Sequence, residues 1–298
     1  MKVYSKLSSV PEGTASSAIT PGCLVLEGGA FKGVYGEGVQ DALMEAGMNL
    51  ECVVGVSAGA VNGLNYVSGD IGRPARLNLK YRHYFKYVGL YPLIRDGNAI
   101  GFSFMFNAFN KEEPLNEARL NSSLQRFIVV ATDAVTGETV YFEKGKCSDV
   151  FKAIRASSAM VYLSRPVNVD GRKCLDGAAS VKIPFRWAMD QGYKKIVIVH
   201  ARVKGERRSE KPSFLTKLCY PGRPSFRETL DSVCRKANLD EEELERLGSE
   251  GRVFNIYPSE DLGVSHLEKD MEKMGALYFL GYNDAWKEME RLKAYLSS

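Results

Sequence analysis

The chain has 298 residues, 45% hydrophobic and 26% charged, a composition that supplies a large core and excludes wholesale disorder. Its formal net charge of +4, from 40 basic against 36 acidic side chains, is too weak to point to nucleic acid. No run of about eighteen apolar residues occurs, so contact with lipid is expected only at the periphery of a membrane.

Residues 1–21, rich in Ser, Thr and Pro, read as a flexible lead-in without the apolar stretch of a secretory signal. Cys23-Leu24-Val25-Leu26 predicts a buried strand that ends at Glu27-Gly28-Gly29. Val34 to Ala46 predicts a helix, with Gly47 placed as its C-terminal cap. The unit then repeats: Cys52-Val53-Val54, the turn Gly55-Val56-Ser57-Ala58-Gly59, and a small-residue helix from Ala60 to Val67. Two consecutive strand-turn-helix units predict an α/β fold, a parallel sheet sandwiched by helices, whose ligands gather at the carboxyl ends of the strands.

The region near 66–120 is an aromatic and basic insertion, including Lys80 to Tyr87 and Phe102 to Phe106, and core packing is favoured over a lipid-facing lid. Further strands are expected at Phe127–Ala131, Val140–Phe142, Ile196–Val199 and Val253–Ile256, a helix at Val150–Met160, and a hairpin turn at Asp170-Gly171. The cluster Lys204-Gly205-Glu206-Arg207-Arg208 reads as a solvated loop, and Asp261 to Leu296 as a helical tail. The expected organisation is a catalytic unit over 22–200 and a C-terminal extension over 201–298 of loop, strand and helices. The six cysteines are scattered without a C-x-x-C pair, which fits free thiols in a reducing cytoplasm and suggests neither zinc nor redox work.

The G-x-S-x-G turn around Ser57 exposes a serine above a sheet, at the start of a helix whose free N–H groups favour developing negative charge. Gly55 and Gly59 permit the sharp turn. Acyl transfer also needs backbone donors for the oxyanion, and Gly28-Gly29-Ala30-Phe31-Lys32-Gly33 follows the first strand where such donors belong. A dinucleotide fingerprint fits that turn poorly, since Ala30 stands at the third glycine position, and a P-loop would need Ser or Thr after Lys32 instead of Gly33-Val34. A purely structural turn does not explain its pairing with the Ser57 turn.

The base that takes the serine proton has two candidates. His200 ends a strand and follows Asp176, in the chain order of a Ser-acid-His triad, while His83 and His266 read as surface residues. Asp176, in Leu175-Asp176-Gly177-Ala178, would serve directly if burial disfavours its charge; Asp-Gly otherwise marks an ordinary turn.

Glu27 to Gly33, Gly55 to Gly59 and Asp176-Gly177-Ala178 together resemble the patatin-like phospholipase family, in its bacterial cytosolic branch; Arg155-Ala156-Ser157-Ser158-Ala159 is similar to that family's Ala/Ser-rich segment. The resemblance covers roughly Gly22 to His200. It implies a Ser57–Asp176 dyad without histidine, an oxyanion hole at Gly28, Gly29 and Ala30, supporting roles for Lys32, Gly33, Gly55, Gly59 and Gly177, no metal or cofactor, and a phospholipid, lysophospholipid or acylglycerol substrate. The rivals are an esterase that uses His200, and a module on the same fold that binds lipid or protein with little turnover.

Overall fold

The computed structural model describes residues 2–122, 124–211 and 213–298. Strand β1 (Thr20–Leu26) is buried from Gly22 onward, as a strand covered on both faces must be. A 3-10 turn, Ala30–Gly33, leads into α1 (Val34–Glu45), and β2 (Leu50–Val56) leads through Ser57 into α2 (Ala58–Ser68). After α3 (Arg73–Tyr81) and α4 (Leu90–Asp96) come β3 (Arg126–Asp133), β4 (Thr139–Glu143), α5 (Val150–Ser157), β5 (Val167–Val169) and β6 (Arg172–Asp176). The chain closes with β7 (Ile196–Val199), α6 (Phe214–Cys219), α7 (Pro224–Ser249), β8 (Phe254–Ile256) and α8 (Met271–Ser297).

The strands form one mixed, mostly parallel sheet in the order β8-β7-β1-β2-β3-β6-β5, with β4 also paired to β3. Alternation along the strands makes two cores. Leu24, Leu26, Val53 and Val197 face the side covered by α1, α2 and α8, whereas Cys23, Val25, Val54 and Ile198 face Phe185, Leu244 and Leu247 on the other. The expected turn at Asp170-Gly171 joins β5 and β6, with φ of 49° and 82°, positive at both positions as a two-residue hairpin requires.

Strand β3 creates the fork that positions the site. Its residues 128–130 pair with β2 on one edge and with β4 on the other, and Ala131 pairs with both β4 and Asp176. Strand β6 therefore occupies the edge that β2 vacates. Because β2 runs parallel to β3 and β6 antiparallel, their carboxyl ends meet head to head at adjacent registers, Val56 opposite Val130 and Asp176 opposite Ala131. The turn after one strand and the last residue of the other are thus brought together by backbone pairing alone.

Three expectations change. The lead-in is packed down: Tyr4 and Val10 are buried, Gly13–Thr14 pairs with Asp70–Ile71, and Arg119 donates to the Ala15 and Ser16 carbonyls at 2.6 and 2.8 Å. Apolar residues too sparse to show a period still fill holes at the rim of the core. The strand expected at Val253–Ile256 is present as β8, which pairs with β7 at the edge of the sheet, and α8 lies along α1. The helices touch closely because a Cβ at Gly38 would stand 2.0 Å from the Tyr278 carbonyl oxygen, and one at Gly281 2.0 Å from that of Tyr35. Finally, the helix expected to reach Met160 stops at Ser157, and the tail becomes helical only at Met271.

Within the insertion, Tyr81, Tyr87, Phe102, Phe104 and Phe109 are buried, and Tyr81 meets Phe104 and Phe109 edge-on at 5.1 and 5.7 Å. Core packing accounts for them. Phe85, Leu90, Tyr91 and Ile94 remain exposed.

Candidate active site

Ser57 occupies the elbow between β2 and α2 with φ 59° and ψ −117°, a region costly for any residue with a side chain and held only where the surroundings over-determine it. Several contacts do so. The Ser57 N–H donates to Ser157 Oγ at 2.8 Å, and Ser158 Oγ donates to the Ser57 carbonyl at 3.3 Å. The strand and helix approach so closely at the elbow that a Cβ at Gly55 would lie 2.3 Å from the Gly59 carbonyl oxygen, and one at Gly59 2.5 Å from that of Leu26. Alanine at either position would open the turn.

The Ser57 hydroxyl donates to Asp176 Oδ2 at 2.8 Å. Asp176 Oδ1 accepts from the Ala178 N–H at 2.8 Å, and the Asp176 N–H is anchored on the Ala159 carbonyl at 2.9 Å. Burial pushes the Asp176 carboxyl above the usual carboxylate range, and the Ala178 amide, the Ser57 hydroxyl and the charge of Lys182 pull it partly back. A raised carboxylate is a stronger base than a free one. Gly177 abuts β3 so tightly that a Cβ there would stand 2.3 Å from the Val130 carbonyl oxygen.

The glycine turn faces the same space. Gly28, Gly29, Ala30 and Ser57 line one cavity together. The Gly28 N–H makes a long bond, 3.5 Å, to the Lys182 carbonyl, whereas the Gly29 and Ala30 amides have no acceptor among the described residues. Ala30 has φ 48°, a conformation that a methyl side chain tolerates at a cost of about 1–2 kcal/mol. Gly33 serves the turn through its carbonyl, which accepts from Asn62 Nδ2 at 2.8 Å. Lys32 points elsewhere and pairs with Glu206 at 3.7 Å.

Ser57, Ala30, Met160 and Leu267 border two adjoining cavities. The smaller, about 70 Å³, has mostly apolar walls, Phe31, Val61, Phe102 and Met105 among them, interrupted by Glu37, Asn62 and Asn78. The larger, about 450 Å³, is lined by Asp176 and by Lys182, Glu210, Lys211 and Asp231. Lys182 is the site residue that sequence reasoning missed: its ammonium makes neither hydrogen bond nor ion pair among the described residues, and burial depresses its pKa while Asp176 opposes that. Its only signal was a lysine six residues after Asp176 in an otherwise apolar stretch.

No histidine is hydrogen-bonded to Ser57 among the described residues. His200 Nε2 sits 3.0 Å from Asn255 Oδ1, its ring stacks on Tyr257 at 3.8 Å between centroids, and Nδ1 is 3.4 Å from Glu241 Oε2. His83 is exposed, with Nε2 2.8 Å from the Lys269 carbonyl oxygen, and His266 is exposed at the rim of the larger cavity. Glu27, His200 and Glu241 bring ligand atoms within 4.8 Å of one another. There the Arg208 guanidinium pairs with Glu27 and, at 3.4 Å, with Glu241, so it supplies the positive charge that these carboxylates need. Lys204, Gly205 and Arg207 are exposed, as a solvated loop requires, but Arg208 is buried and departs from that reading. Its charge is matched by partners distant in sequence, and composition alone could not show them.

A family model described as Patatin-like phospholipase matches residues 24–189, more than half of the chain and a span that holds the glycine turn, Ser57 and Asp176. A second, described as a domain of unknown function, DUF6363, matches residues 224–297. The chain is 31% identical over 181 residues to the uncharacterized protein YjjU of Escherichia coli (strain K12), covering 59% of this chain and 50% of that protein. It thus spans about half the length of the curated relative it matches. Among solved structures, VipD from Legionella pneumophila aligns over 97% of this chain and 69% of its own, at 16% identity and a TM-score of 0.49.

Proposed function

Because the chain belongs to the patatin-like phospholipase family, we propose that it is a serine acyl hydrolase of lipid esters that works through a Ser57–Asp176 dyad. The observation that carries this reading is the 2.8 Å hydrogen bond from Ser57 Oγ to Asp176 Oδ2 where two cavities adjoin. Ser57 Oγ attacks the ester carbonyl while its proton passes to Asp176. The Gly29 and Ala30 amides, with Gly28 beside them, receive the oxyanion. As the tetrahedral intermediate collapses, Asp176 returns the proton to the leaving alcohol and Ser57 keeps the acyl group. Water, deprotonated by Asp176, then releases the acid and restores the serine.

The cavities divide the substrate: the acyl chain enters the apolar one and the alcohol part the larger one, where Lys182 meets a phosphate or other anionic headgroup. Exposed Leu90 and Ile94, and Phe214 and Leu218 on α6, support peripheral contact with a lipid surface, and among the described residues no helix is long and apolar enough to cross a membrane. All six cysteines are free thiols, which supports a reducing compartment.

A fluorophosphonate probe tests the reading directly. Wild type should be labelled at Ser57, and Ser57→Ala should lose both label and esterase turnover. An unlabelled wild type would instead favour the lipid- or protein-binding module.

A further inference from the structure

The C-terminal part of the chain reaches the active site. Residues 257–270 run from β8 to α8, and among them Leu267 borders both cavities, a place it shares with Ser57, Ala30 and Met160. An exposed leucine by itself means little, and Leu267 is 47% exposed. The segment that carries it, however, is pinned on two sides. The Phe31 N–H, in the glycine turn, donates to the His266 carbonyl at 3.3 Å. Arg82, just past α3, donates from Nη2 to the Leu267 carbonyl at 2.9 Å and from Nε to the Glu268 carbonyl at 2.5 Å. Arg82 is itself buried, and its guanidinium lies 4.5 Å from the centre of the Phe31 ring, so one cation joins the glycine turn to the segment. The Glu268 carboxylate closes the segment on itself, accepting from the Ser265, Lys269 and Asp270 N–H groups at 3.1, 2.8 and 3.0 Å. A loop residue fixed this firmly beside a nucleophile is placed to meet substrate.

We infer that Leu267 is a specificity residue for the acyl chain and that Arg82 is the positioning residue that holds it there. The inference rests on the reading of Ser57 as the acyl acceptor. An ester whose carbonyl sits at Ser57 spans the junction of the two cavities, and the methylenes of its acyl chain bury against Leu267 as they leave that junction. Leu267 takes no part in bond making, and its contact is with alkyl carbons that an acetyl group lacks. It lies outside the matched residues 24–189 and within 224–297. In this chain the C-terminal span therefore supplies part of the wall of the ester site as well as covering the sheet.

The test measures kcat/KM of the full chain on p-nitrophenyl octanoate and p-nitrophenyl acetate, alongside fluorophosphonate labelling of Ser57. Leu267→Ala should lower the octanoate value about tenfold, the low end for one apolar contact, and leave the acetate value within about twofold. Leu267→Met, close in volume and apolar, should recover most of the loss. Arg82→Met should show the same octanoate-selective loss, and adding Leu267→Ala to it should cost little more, because the two act through one contact. A merely structural role would lower both esters together. Should Arg82→Met fail to fold, the variants of the half-exposed Leu267 still decide. An octanoate-to-acetate ratio unchanged by Leu267→Ala in a labelled, active enzyme would overturn the inference. So would an equal fall on both esters, which would assign the segment to the glycine turn instead. An unlabelled wild type that cleaves neither ester would overturn the hydrolase reading, and this one with it.

Discussion

Two buried polar clusters flank the carboxyl end of β1, and they differ in what they leave open. Around His200, every charge has a protein partner: Arg208 neutralises Glu27 and Glu241, Asn255 and Tyr257 hold the imidazole ring, and Glu27 Oε2 also accepts from the Ala201 N–H at 2.6 Å. Around Ser57, a hydroxyl and a carboxylate face each other beside two cavities, and among the described residues two amides have no acceptor and the Lys182 ammonium has no partner. The first cluster is an ion network that ties the Glu27-Gly28 turn to the C-terminal third of the chain, with every charge matched and only His200 Nδ1 left without a hydrogen bond among the described residues. The second keeps unmatched groups aimed at empty space, which is what chemistry on a bound ester requires. Burial alone does not separate them, since Asp176 and His200 are both buried.

The contrast breaks first at Arg208. Replacing it with Met leaves the buried Glu27 and the half-buried Glu241 without their guanidinium, and urea denaturation should show a loss of about 3–5 kcal/mol while the protein that remains folded keeps its ester specificity. A drop in kcat/KM of folded protein larger than a few fold would mean that this cluster also shapes the oxyanion turn.

A smaller effect comes from the α1 carboxyls. Burial raises Glu37 to about 8 and Asp41 to about 7; for Asp41 the Gly72 amide, the Tyr278 hydroxyl and Arg76 oppose the rise. In the unfolded chain both ionise near the ordinary carboxylate value of about 4, so between the two values the native state binds more protons. Stability is therefore fully present at acid pH and is lost as pH rises towards about 7 for Asp41 and about 8 for Glu37, at no more than about 1.4 kcal/mol per pH unit for each group. Thermal melts should fall across that window, and Glu37→Gln with Asp41→Asn should flatten the fall. A melting temperature that climbs with pH there would contradict the assignment.

The smallest effect belongs to Lys182. Its charge helps keep Asp176 ionised, so Lys182→Met should move the acid limb of the kcat/KM profile to higher pH on a neutral ester and raise KM more for a phospholipid than for a monoacylglycerol. An unmoved acid limb would separate Lys182 from the dyad.

What the sequence made legible follows from range. The strand at Ile196–Val199 and the elbow at Gly55 to Gly59 are set by neighbours within a few residues, so apolar runs and glycines locate them. The meeting of Ser57 with Asp176 is different: residue chemistry left both His200 and Asp176 open as the base, and only the family resemblance decided for Asp176. The physical reason is the fork in β3, a long-range pairing that leaves no local trace. Glu37 was hidden in a similar way. On an isolated α1, Glu37, Gln40 and Asp41 read as the solvent face, but with α8 laid along that helix every residue from Val34 to Met44 is buried. Arg208 looked solvated because its partners, Glu27 and Glu241, are remote in sequence.

The central claim, that Asp176 and not His200 is the base for Ser57, is tested most directly by kcat/KM of Asp176→Asn and His200→Ala on one short-chain ester, with folding checked by thermal melts. Asp176→Asn should lose about 10²–10⁴-fold, the usual worth of a positioned general base, at near-native stability, and His200→Ala should lose stability while its folded fraction stays within a few fold of wild type. Near-native turnover by Asp176→Asn together with an inactive but folded His200→Ala would contradict the dyad.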